Sequence, residues 1–153
     1  MRELLRSTIW TGVCLAASGC LAQSAGSAAP ALAGTFSSDC APYDGSAFIV
    51  TLHAPGDSRE YILKANVLLS EAAGTWKHSN LGSPNQASIV RCETKPKKKC
   101  DYPESGSFQI EPLRGGVMRG SVTMQFSDDS HPRRFAFSAN AVPTMGSAPR
   151  VCG

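Results

Sequence analysis

Residue types able to carry out acyl transfer occur at two places in the chain: Ser58, within Gly56-Asp57-Ser58, and Asp128 with His131, within Asp128-Asp129-Ser130-His131-Pro132. That chemistry needs a serine hydroxyl activated by an imidazole, a carboxylate that orients the imidazole, and backbone donors for the oxyanion. Both segments also consist of Gly, Asp, Ser and Pro, the residues that turns favour for backbone reasons alone. The turn reading is preferred, and no catalytic residue is assigned.

The same pieces resemble the nucleophile block and the Asp/His block of GDS-type ester hydrolases. The resemblance implies Ser58 as nucleophile, with Asp128 and His131 activating it. The sequence departs from that family in lacking a Gly-x-Asn-Asp block and the helices that build its α/β fold, so an ester hydrolase is kept only as a remote alternative.

The strongest local electrostatic feature is Lys95-Pro96-Lys97-Lys98-Lys99, with Arg91 just before it and Cys92 and Cys100 on either side. A bridge between those cysteines would pre-organise Arg91, Lys95, Lys97, Lys98 and Lys99 for phosphates, anionic lipid or an acidic protein surface. Charged loop tips also serve solubility. Trp76, beside Lys77 and His78, is a further candidate for lining a groove, although a Trp at a strand end commonly packs on the core. Nucleic acid would call for charge spread along a face with aromatic stacking partners, and no such partner is expected. His53, His78 and His131 are isolated in sequence, so neither a metal site nor a cofactor is expected.

The six cysteines are Cys14, Cys20, Cys40, Cys92, Cys100 and Cys152. The last four are even in number and lack a C-x-x-C knuckle, which favours disulfides over zinc. Of the three possible pairings, Cys92–Cys100 and Cys40–Cys152 are expected. The second would close a loop of about 110 residues, for which chain entropy allows up to roughly 4 to 5 kcal/mol.

These elements need an exported, folded carrier. Arg2 and Arg6 bracket a cationic start, and an apolar run of about ten residues follows, too short for the roughly 18 of a membrane span. The run ends in Ala17-Ser18-Gly19-Cys20, which resembles the lipobox of bacterial lipoproteins. The resemblance implies cleavage before Cys20 and lipidation of its thiol; Leu21 then implies sorting to the outer membrane. Ordinary cleavage after Ala22 or after Ala33 is the alternative and would free a soluble periplasmic or secreted protein.

The resulting organisation is a signal peptide at 1–19, a lipidated cysteine and flexible tether at 20–38, and one β domain at 39–153. As a coil the tether would reach about 25 Å. The formal charge of +3 falls by one when Arg2, Glu3 and Arg6 leave, and so mild a balance selects no partner.

Within the domain, apolar residues alternate along Phe48–Leu52, Tyr61–Leu69, Phe108–Ile110, Met118–Phe126 and Phe135–Ala139. Thr75-Trp76 and Ala87–Cys92 add short strands, and Arg114-Gly115-Gly116 marks a hairpin. The pattern predicts an all-β fold: a small antiparallel β-sandwich or barrel of about seven strands, stapled by two disulfides. The expected function is non-enzymatic binding in the cell envelope through loops, inhibitor-like or immunity-like by analogy. The expected partners are a membrane, held through the lipid, and an envelope protein. The alternative is a structural outer-membrane lipoprotein whose basic loop contacts anionic lipid.

Overall fold

The alternation of Phe48, Val50 and Leu52 is realised in β2 (Ser46–His53), where all three are fully buried. The computed structural model describes residues 31–40, 45–79, 87–93 and 98–142. Besides β2 they form β1 (Ala31–Cys40), β3 (Arg59–Ala65), β4 (Gly74–Lys77), β5 (Ala87–Glu93), β6 (Lys99–Asp101), β7 (Ser105–Ile110), β8 (Val117–Gln125) and β9 (Arg133–Ala141). The helical content described is one 3-10 turn at Leu69–Glu71.

The all-β expectation holds, but in one curled sheet of nine strands rather than about seven, ordered β4-β7-β8-β9-β1-β2-β3-β5-β6. The curl brings β4 back to β5. His78, just past β4, forms a parallel bridge with Ala87, and the Ser79 N–H donates to the Ala87 carbonyl at 2.9 Å. His78 reinforces this seam: its Nδ1 accepts the Ile89 N–H at 3.0 Å while its own backbone N–H donates to Gly106 at 2.9 Å.

Two strands differ from expectation because their residues give little periodic signal. β1 takes up residues 31–38, which the sequence places in the flexible tether. Its inward positions include Leu32 and Phe36, both buried, but also Gly34, so bulky residues do not alternate there. A Cβ on Gly34 would overlap the Thr51 carbonyl, so the close β1–β2 approach requires glycine. β6 is only three residues long and begins at the last residue of the lysine run.

β1 also departs from a purely antiparallel plan. It pairs antiparallel with β2 but parallel with β9, from Ala31↔Ala136 to Phe36↔Ala141. It thereby joins β4-β7-β8-β9 to β2-β3-β5-β6.

The long alternation from Tyr61 stops at Ala65. The chain then bends, and Val67 and Leu69 pack against the core from the turn rather than from a strand. The predicted hairpin after β7 is present, with Gly115 at φ 58° and Gly116 at φ 73°, two left-handed positions that glycine accepts without strain.

The core lies inside the curl. Phe48, Phe108, Val122, Met118, Leu63 and Ile89 are among its fully buried side chains, drawn from β2, β3, β5, β7 and β8.

The described residues contain the Cys92–Cys100 disulfide, which joins directly opposed positions of β5 and β6. Cys40 is also disulfide-bonded, whereas its expected partner Cys152 lies outside the described residues.

Candidate functional site

Strand directions gather the candidate residues at one end of the curl. β1 begins there, with Ala31 opposite Ala136 and Ala33 opposite His53. β2, β5 and β8 finish there, so the β2–β3, β5–β6 and β8–β9 connections share that end. The β7–β8 hairpin occupies the other.

Ion pairs organise this end. Arg91, 8% exposed, is the one charged side chain among the buried described residues. Its guanidinium donates to both oxygens of Asp101, at 3.2 and 2.6 Å, and to Asp128 at 2.8 Å. Phe126 roofs it, with the ring centre 4.0 Å from the guanidinium carbon. Burial alone would disfavour the charge; the hydrogen bonds that Arg91 donates to Asp101 first, and then to Asp128, outweigh that and raise the Arg91 pKa further. The same contact with Arg91 holds the Asp128 carboxyl below its ordinary value.

Around this lock, Asp57 is paired with Arg59 at 2.8 Å and is held below its usual pKa by that hydrogen bond. Lys98 reaches Glu60 at 3.6 Å and Arg133 reaches Asp129 at 3.9 Å. Burial raises the pKa of the Tyr61 phenol, whose ring lies 6.0 Å from that of Phe135.

Two candidate binding residues, Arg91 and Trp76, are held by contacts within the protein. Arg91 faces inward and is committed to Asp101 and Asp128, because one step along β5 from the disulfide turns the side chain into the curl. Trp76 donates its indole N–H to the Ala72 carbonyl at 2.9 Å and packs edge-on against Phe48, with ring centres 6.3 Å apart. It is half-buried against the core. Lys98 and Lys99 are exposed beside the bridge; Lys95 and Lys97, like Cys20, lie outside the described residues.

Ser58, Asp128 and His131 fall in two connections at this same end. Asp128 Oδ1 accepts a hydrogen bond from Arg91, and Asp57, beside Ser58, accepts from Arg59. A separate shallow groove of about 290 Å³ crosses β7 and β8 between Lys77 and Pro132, over Ser105, Ser107 and Thr123. Lys77 is the titratable group that lines it.

Asp101 and Phe126 were not singled out in the sequence, yet half of the signal was there. If Cys92 and Cys100 are bridged across a hairpin, Arg91 and Asp101 must face each other. Asp128 and Phe126, by contrast, reach Arg91 only through the curl.

No protein-family profile, curated protein or solved structure matches this chain.

Proposed function

We propose that this is an exported protein of a bacterial cell envelope, lipid-anchored at Cys20, that acts by non-enzymatic binding through the end of its sheet where the disulfide-closed β5–β6 hairpin stands. The observation that carries the reading is the double clamp at the hairpin's base. The Cys92–Cys100 bridge and the Arg91–Asp101 pair occupy adjacent cross-strand positions, so the exposed Lys98 and Lys99 extend from a rigid base. Preorganisation of this kind lowers the ordering cost of binding. A disulfide also suits an oxidising compartment.

The test is capture from native envelope by the oxidised protein. A stoichiometric protein partner that is retained by the wild type and lost on Lys98→Glu with Lys99→Glu supports the reading. A partner held equally by both proteins removes the hairpin from the contact.

One observation favours a second reading, contact with anionic lipid. Ala31 opens β1 at the same end as the hairpin, so an anchor at Cys20 would turn Lys98, Lys99 and Arg134 toward the bilayer. Each basic residue near such a surface contributes about 1 kcal/mol. Co-sedimentation of the unlipidated Cys20→Ala protein with anionic but not neutral vesicles is the expected result, and equal recovery with both would end this reading.

A further inference from the structure

We infer that the export signal is removed upstream of Ala31, so that the mature chain keeps all of β1. The inference rests on the export reading above and concerns which peptide bond is hydrolysed to leave the new amino terminus. The sequence offers three places for that terminus: Cys20, the residue after Ala22, and Gly34 after Ala33.

The structure separates them. Leu32 is 1% exposed and belongs to the main core cluster. Ala31, Leu32 and Ala33 pair with Ala136, Phe137 and Ser138 of β9, and Ala33 also faces His53 of β2.

Cleavage after Ala33 would therefore strip three of the six paired positions between β1 and β9. It would also empty the core position of Leu32. β1 is the strand that joins the two halves in the sheet order, the β4–β5 seam being the other place where they meet. Signal removal precedes folding, so the bond itself is not shielded; the consequence falls on the product, which has lost part of its central strand. Termini at Cys20 or just after Ala22 leave every described strand residue in place.

The retained lead is correspondingly shorter than the tether expected from sequence. From Cys20 to Ala31 it spans at most about 36 Å fully extended, and about 18 Å as a coil.

Intact-mass measurement of the chain recovered from the envelope tests the inference. A terminus anywhere from Cys20 to Ala31, with or without lipid, is the expected result. A terminus at Gly34 would overturn it while leaving export standing, whereas an unprocessed chain from Met1 would overturn the export reading and the inference with it.

A stability comparison reports on the same point independently of processing. A chain beginning at Gly34 should melt about 10 °C or more below one beginning at residue 23, as expected for losing a buried leucine and its strand pairing. Equal melting temperatures would show that residues 31–33 are dispensable and overturn the argument.

Discussion

The Arg91 guanidinium carbon sits 4.0 Å from the centre of the Phe126 ring while its nitrogens hold Asp101 and Asp128. A charge from the lysine-rich region is thus used to close one end of the sheet. Lys98 and Lys99, by contrast, stay exposed beside it.

Replacing Arg91 with Ala should destabilise the protein by about 2 to 3 kcal/mol. The estimate is below that for a fully buried pair because Asp101 and Asp128 are themselves partly exposed and can rehydrate. Arg91→Leu should recover part of the loss by packing under Phe126. Urea denaturation measures both, and partner capture should survive either change if Arg91 lies outside the contact.

Opening the hairpin bridge with Cys92→Ser and Cys100→Ser together should cost about 2.5 kcal/mol, the loop-entropy value for a sequence separation of 8. The Arg91–Asp101 pair should weaken with it, since the two adjoin. The comparison is the urea midpoint of the oxidised wild type against the double variant. An unchanged midpoint would mean that the ion pair alone holds β6.

Acid should loosen the same end. Asp57 and Asp128 are both held below the ordinary carboxylate pKa, by Arg59 and Arg91 respectively. Their folded values lie below their unfolded ones. The stabilisation they supply is therefore present above about pH 4 and lost as pH falls through the folded values. Melting temperature followed from about pH 6 to about pH 2 should fall less steeply in an Asp57→Asn, Asp128→Asn protein. Parallel curves would remove these two groups as the cause.

Gly34→Ala should be among the most damaging single changes, costing about 3 kcal/mol or more. The added methyl meets backbone at Thr51 rather than a side chain able to move aside. Ser37→Ala, in the same strand, provides the control and should change stability by only about 0.5 kcal/mol. Similar losses in both would show that β1 tolerates no change for reasons other than the close approach at Gly34.

Much of the sheet was legible because apolar residues alternate in β2, β3, β8 and β9, and because Gly115-Gly116 suits a tight reversal. β1 escaped notice since glycine takes one of its inward positions and most of its other residues are small. The run from Tyr61 misled in the opposite direction: Val67 and Leu69 keep the period but pack from a turn. At the candidate site, the Cys92–Cys100 hairpin was legible from cysteine spacing and charge. The inward turn of Arg91 was not, because Asp128 and Phe126 are distant in sequence.

By itself, then, the sequence determined most of the strand-forming segments, the bridged hairpin and the charge it carries, all of which depend on neighbours a few residues away. Tertiary structure decided that β1 lies between β9 and β2, that three connections and the start of β1 meet at one end, and that Arg91 closes the sheet instead of facing outward. Those outcomes depend on register between strands far apart in the chain, and a period-2 pattern specifies which face a residue occupies without specifying what it will meet there.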